Sequence, residues 1–435
     1  MSLETKLNGF KKIKKSLRNF LACAGVIGLA LTGGVKEARA KTYYVNYSEE
    51  QSIQSVINDC NDGDEIIVSE GRYYENINFK GKNIVLRSTD PNNSNVVANT
   101  IINGGRDGSV VTFNSGEDAN CVLNGFTITN GYAHLGGGVY YSESIGYSRG
   151  PTIANCVFDE NSGKYGGGMY VDGSMIIENC IFRGNFAKVL GGGVSANNSV
   201  LRNCNFVGNS AGSGGGLVSE GTSPTLVNCV FTNNSAIWHG GGIYQNVGYP
   251  VLTNCILYKN SASNGGGMYA FDCSPVLTNC IVFENSPNQL YNLDGDLLVK
   301  YNDVQGSWPG EGNIDVDPCF AEPSYWKDDF RCDSDYHLKS QAGRWDPNLR
   351  SWTLDDKTSP CIDAGDPLSP IMSEPFPNGG RINMGAYGGT AEASKSYFGK
   401  PNCETIVAGD INGDCAIDFK DFAIMAGHWL EDYRE

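Results

Sequence analysis

Residues 155–170 read NCVFDENSGKYGGGMY. The phrase returns as NCIFRGNFAKVLGGGVS (179–195), NCNFVGNSAGSGGGLV (203–218), NCVFTNNSAIWHGGGIY (228–244) and NCILYKNSASNGGGMY (254–269), and closes with NCIVFENS (279–286). The Asn-Cys pairs are spaced by 24, 24, 25, 26 and 25 residues, and a looser copy begins at Asn120. A fixed period of this size means a stacked array. Each copy holds only short alternating runs of β-branched and aromatic residues bounded by Gly, Asn and Ser, with no apolar 3.6-residue period of helix length. The reading is a β-solenoid in which every copy makes one turn and pairs in parallel with its neighbours at a rise of ~4.8 Å.

Stacking explains the residue choices. Met169, Val194, Leu217, Ile243 and Met268 directly follow the glycines and are expected to point inward, with the next position pointing out. Cys156, Cys180, Cys204, Cys229, Cys255 and Cys280 are small and apolar, which suits a narrow interior. Glycine serves where the chain bends sharply or takes positive φ. The repeated asparagines are open to two readings, an amide-on-amide ladder or a left-handed corner.

On these residues the chain resembles right-handed parallel β-helix proteins, and within them the GG-[small or apolar] and F-x-x-N repeats of polymorphic outer membrane proteins; FDEN, FRGN and FTNN match the second element. The fold class that follows is all-β, a right-handed parallel β-helix solenoid with a small α-helical, EF-hand-like tail. Fold does not fix chemistry, so function must come from a site.

Residues 1–40 carry six basic residues before an apolar run from Phe20 to Leu31 and end in Ala38-Arg39-Ala40, which reads as a secretory signal cut before Lys41. Its removal takes away eight basic and two acidic residues, so the charge goes from −16 to −22 and 14 cysteines remain. Such an acidic surface argues against nucleic acid and anionic membranes and predicts a secreted or cell-surface protein with no integral membrane span. Export permits disulfides, and Cys60, Cys273, Cys319, Cys332, Cys361, Cys403 and Cys415, outside the repeat column, are the candidates.

Residues 41–119 read as an N-terminal cap and the first irregular turns, with a short amphipathic helix from Ile53 to Ile57 over the open end, and they resemble the opening turns of secreted bacterial β-helix proteins. Residues 120–300 are the regular repeats. Residues 301–400 lose the period; GNIDVDPCF, YHLKS, SPCIDAGDP and RINMGAYGG resemble a module found after β-helices in bacterial surface proteins, which implies anchoring. Trp308, Trp326, Trp345 and Trp352 are expected to seal the far end of the stack. Asp315, Asp317, Asp363 and Asp366 are open to metal binding or turn capping.

In residues 401–435, GDINGDCAIDFKDFAIMAGHWLE places Asp410, Asn412, Asp414, Asp418 and Asp421 at loop positions 1, 3, 5, 9 and 12, with the Ala416 carbonyl at 7. These are the oxygen-donor positions of a calcium loop. The loop and the helix after it resemble one repeat of a type I dockerin, which implies calcium and a cohesin-like partner; a complete dockerin has two repeats. Cys403 and Cys415 are placed to staple this small unit.

The outward column two residues after each glycine row reads Tyr140, Tyr170, Ser195, Val218, Tyr244 and Tyr269, with Asp172, Asn197, Glu220 and Asn246 beside it. Asp172 and Glu220, two turns apart, are expected ~9–10 Å from one another, near the upper end of inverting-glycosidase geometry. Stacked tyrosines and exposed carboxylates also serve structure alone. Trp238 and His239 are candidates to line a groove. No nucleophile motif, phosphate loop or zinc spacing appears. The expected function is a non-catalytic protein that binds glycan or another surface protein and docks through a calcium-dependent tail; the alternative is a polysaccharide lyase or glycoside hydrolase carried on that tail.

Overall fold

The computed structural model describes residues 40–143, 149–323 and 334–398, together with Phe419, Phe422 and Ala423. One regular turn consists of β1 (Thr152–Ala154), β2 (Val157–Asp159), β3 (Ser162–Tyr165) and β4 (Met169–Asp172). The equivalent strands of successive turns pair in parallel, giving among the described residues sheets of 11, 10, 5 and 9 strands for the four positions. Register is kept residue for residue, as in Val157 opposite Ile181, then Asn205, then Val230. The expected parallel β-helix is realised.

Each column has a physical reason. Phe158, Phe182, Phe206 and Phe231 point inward from the β2 sheet and stack at 4.6, 4.8 and 4.4 Å. Each fully buried ring contributes about 1.5–3 kcal/mol. The six repeat cysteines are fully buried, free thiols at the corner before β2. Each points at the carbonyl two residues back, as Cys180 Sγ does to Glu178 O at 3.2 Å.

Both readings of asparagine hold, on different columns. The residues before the cysteines (Asn155, Asn179, Asn203, Asn228, Asn254 and Asn279) take φ of 51–57°, a left-handed corner that asparagine tolerates. Those five residues after the cysteines form a buried amide ladder. Asn185 Nδ2 donates to Asn209 Oδ1 at 2.9 Å, Asn209 Nδ2 to Asn234 Oδ1 at 2.9 Å, and Asn234 Nδ2 to Asn260 Oδ1 at 2.9 Å.

At the start of the stack, α1 (Ile53–Asp59) buries Ile53 and Ile57 against the first turns. The Glu75 carboxylate accepts from the Ile53 and Gln54 amides at its N-terminus, at 2.8 and 2.9 Å.

The segment after residue 300 departs from expectation. It covers a flank: Phe320, Tyr336, Leu338, Cys361, Ile362, Met384 and Ala386 form a second core with Val230, Ile256, Tyr258 and Ile281 on the outer face of the β2 sheet. The corner asparagines clamp it, with Asn254 Nδ2 donating to Asn383 O at 3.1 Å and Asn279 Oδ1 accepting from Asp366 N at 2.6 Å. Of the tryptophans expected to seal the end, only Trp308 packs against the solenoid core. Trp345 and Trp352 pair edge-to-face on a hairpin of their own, and Trp326 lies outside the described residues. The reason is that the last turns carry apolar residues on their outside, which need covering more than the end does. Asp317 and Asp366 cap turns, accepting from the backbone N–H two residues on, Cys319 N and Leu368 N, whereas Asp315 accepts from Ser307 Oγ and Asp363 from the distant Gly379 N.

The disulfide candidates within the described residues, Cys60, Cys273, Cys319 and Cys361, are free thiols. For three of them the position accounts for it. Cys60 lies under the N-terminal cap, Cys273 points inward at the end of a β4-type strand, and Cys361 faces the Asp303 carboxylate at 3.2 Å. Cys332, Cys403 and Cys415 lie outside the described residues.

Burial raises Glu374, under the flank cover, from an ordinary 4.5 to about 7, and raises Asp303 from 3.8 to about 6. Burial alone would lower His337, but the Asp335 and Glu392 carboxylates outweigh it and raise this group too. All three hold protons in the folded chain that the unfolded chain has released, so stability is complete below the unfolded values and falls as pH rises. The urea midpoint is therefore expected to be higher at pH 5 than at pH 8. An equal or higher midpoint at pH 8 would contradict this assignment.

Candidate functional site

The triple glycine fixes the site. The first residue of each row takes positive φ, for example 65° at Gly166 and 69° at Gly191. The chain thereby turns from β3 into β4 within three residues. The ends of the β3-type strands then face the outward column of the β4 sheet across a groove of about 340 Å³ that includes Leu135, Tyr165, Tyr170, Leu190, Asn197 and Glu220.

The outward column is in register as Tyr140, Tyr170, Ser195, Val218, Tyr244, Tyr269 and Tyr291. Tyr140 and Tyr170 stack at 6.2 Å and 28°. Tyr244 and Tyr269 lie 5.7 Å apart and tilted, and Tyr269 stacks on Tyr291 at 5.2 Å and 11°. Ser195 and Val218 separate these two aromatic platforms. Tyr291, which extends the column by one rung, was absent from the sequence reading because its turn has lost the glycines.

Asp172 and Glu220 are exposed, on outward positions of their strands and two rungs apart, with Asp172 opposite Ser142 and Glu220 opposite Asn246. Burial foremost, then the Asp172 charge, the Tyr140 ring and the Glu220 charge raise the Tyr170 phenol. Tyr170 thus stays protonated beside the column that carries both carboxylates. Glu220 is the one charged residue lining the groove, and Lys164 lies over the Tyr165 ring at 5.2 Å beside it.

His239 lies tilted against Tyr269 at 4.4 Å, and burial lowers its pKa, which favours a neutral imidazole. Its Nδ1 is buried with no hydrogen-bond partner among the described residues. His134 meets Tyr165 at 5.7 Å. Trp238 is exposed and lies against Gly212. Leu135, Tyr165 and Leu190 were missed as lining residues. Each directly precedes a glycine row, but the shifting register of these strands hides which way that position faces.

The groove offers the half-buried rings of Tyr165 and Tyr170, an amide and a carboxylate on a rigid sheet, which suits contact with sugar rings; further along the expected outward column Val218 and Tyr269 are only 1% and 6% exposed. Among the described residues no three His, Cys, Asp or Glu side chains converge as metal ligands. The proposed calcium ligands Asp410, Asn412, Asp414, Ala416, Asp418 and Asp421 lie outside the described residues; Phe419, Phe422 and Ala423 are helical and exposed. A second groove of about 440 Å³ at the other end of the β4-type strands holds Tyr249, Asp272 and Asp294. No helix among the described residues is long and apolar enough to cross a membrane.

Residues 138–304 match a family described as right handed beta helix region, and residues 249–365 match one described as disaggregatase related. The second match spans Ile256, Ile281, Phe320 and Cys361, which pack as one core. No curated protein matches the chain. Among solved structures, the crystal structure of pectate lyase Pel9A is similar, at 13% identity over 80% of this chain and 96% of that one, with a TM-score of 0.45.

Proposed function

We propose that this chain is an exported, non-catalytic β-helix that binds polysaccharide along the groove at its glycine corner. The observation that carries the reading is the groove itself, which Tyr165 and Tyr170 line together with Asn197 and Glu220 from successive turns. Aromatic faces held by a stacked sheet bury sugar rings at little entropic cost, because the side chains are already ordered. The acidic loop from Asp410 to Asp421 supports a second element of the proposal, Ca²⁺ binding at the tail and docking to a cohesin-like surface protein.

The test is a glycan array on the full chain, with release of reducing ends and of unsaturated product followed on each hit. Binding without product is expected, and Tyr170→Ala is expected to weaken it roughly tenfold, the loss of one stacking face. Product formation would overturn the non-catalytic reading and direct mutation to Asp172 and Glu220. For the tail, calorimetric titration with Ca²⁺ is expected to show a site that Asp410→Ala removes, with array binding by the groove unchanged.

A further inference from the structure

The course of the groove and the charges along it bear on the shape and charge of the ligand. Its lining comes from four successive turns, with Leu135 in the first, Tyr165 and Tyr170 in the second, Leu190, Ser195 and Asn197 in the third and Glu220 in the fourth, so it runs three rungs, or ~14 Å, along the axis. A sugar chain lying across the rungs meets only one of these turns. A chain lying parallel to the axis meets all four, and the rise per rung is close to the advance per sugar of an extended β-1,4-linked pyranose chain. Past Tyr170 its sugars cross Ser195, Asn197 and Glu220, where hydroxyl, amide and carboxylate replace the aromatic ring.

Charge narrows the class further. The carboxylates along this path are Asp172 and Glu220, both in the column beside Tyr170 and both acting on it. The facing strand ends contribute Lys164, which lies over Tyr165, and the neutral His239. A polymer with a carboxylate on every sugar would set like charges against Glu220 and Asp172. Sugar hydroxyls or ammonium groups would meet them as donors.

We infer that the groove takes an extended, β-1,4-linked polysaccharide aligned with the solenoid axis, and that this polymer is neutral or amino-bearing rather than a polyuronate. The inference rests on the polysaccharide-binding reading and specifies its ligand. Three β-1,4-linked hexamers with one backbone geometry, of glucose, glucosamine and glucuronic acid, separate the two.

Titrated calorimetrically against the full chain at low salt, the glucose and glucosamine hexamers are expected to bind at least about tenfold more tightly than the glucuronate hexamer. Raising the salt is expected to shrink the difference between glucosamine and glucuronate. The double variant Asp172→Asn/Glu220→Gln is expected to gain affinity for glucuronate. Tyr170→Phe, which keeps the ring, should retain the affinity that Tyr170→Ala lowers roughly tenfold, so a folding defect is not mistaken for loss of the site.

Equal or tighter binding of the glucuronate hexamer overturns the inference; if Tyr170→Ala weakens that binding, the groove reading itself stands. Failure of all three hexamers while array hits persist also overturns it, in alignment and linkage. No hit on the array sinks the underlying reading as well.

Discussion

Replacing Asn209 by leucine is expected to destabilise the solenoid by about 2–6 kcal/mol. The residue sits in the middle of the amide ladder and is fully buried. Its Oδ1 accepts from the Asn185 backbone N–H at 3.0 Å and from Asn185 Nδ2 at 2.9 Å, and its Nδ2 donates to Phe182 O at 2.8 Å. Leucine fills a similar volume and makes none of these bonds. Two buried polar groups of the preceding turn, the Asn185 backbone N–H and the Phe182 carbonyl, then lose this partner, at about 1–3 kcal/mol each. Asn234 Oδ1 keeps the backbone N–H of residue 209 at 3.0 Å and Asn185 Nδ2 keeps Phe158 O at 2.9 Å, which is why the count stops at two groups.

The control is Asn203→Leu in the neighbouring asparagine column. Asn203 is exposed at φ 52°, so the substitution costs chiefly left-handed strain of about 1–2 kcal/mol. Urea midpoints followed by circular dichroism decide. If the two variants lose the same stability, the ladder carries no special weight.

That contrast also shows what the sequence could and could not display. The period, the inward residues and the two asparagine columns were legible because a solenoid repeats its contacts at a fixed spacing, so one turn's environment is written several times over. The assignment of ladder to one column and corner to the other was not legible. Both columns show the same residue type at constant spacing, and only the backbone separates φ near 50° from a buried amide.

The flank cover was missed for a different reason. FDEN and FRGN alternate inward and outward cleanly, with Asp159 and Arg183 pairing on the outside at 2.9 Å, whereas CILYKN and CIVFEN put Ile256, Tyr258 and Ile281 there. That change of pattern from polar to apolar was the signal for a covered face. It was subordinate to the period and to the tryptophans, whose size suggested a seal that most of them do not make.

The tyrosine column was predicted from period-two alternation after the glycines. The opposite wall was not, because Leu135, Tyr165 and Leu190 sit on the short β3-type strands, whose register shifts between turns, for example between Gly163 and Tyr165. Alternation counted from one end of such a strand does not reach its other end. The groove exists only once the glycine corner sets the angle between the two walls, and an angle is not a sequence pattern.

The corner therefore supports the second large prediction. Gly215→Ala is expected to cost at least about 3 kcal/mol and to abolish glycan binding with it. A methyl group there would run into Ser235 O and lie 2.5 Å from Gly241 O and 2.7 Å from Ser235 N, all backbone atoms of the next turn. Side chains can rotate away from an added carbon, but these atoms are held by the same ladder, in which Gly215 N donates to Gly240 O at 3.0 Å and Gly193 N to Gly215 O at 3.1 Å.

The rungs must therefore part at the place where the β3 and β4 walls are joined. Because each turn contacts only its neighbours, a parted rung uncouples the two halves of the stack, and unfolding is expected to show two transitions where the parent shows one. Gly221→Ala is the comparison. It has φ of 68° with nothing within 4 Å of the added carbon, so only the left-handed penalty of about 1–2 kcal/mol applies. A Gly215→Ala protein that unfolds like Gly221→Ala and binds sugar like the parent would mean the glycine rows are conformational conveniences. The groove would then have to be held open by contacts other than the close approach of backbone to backbone.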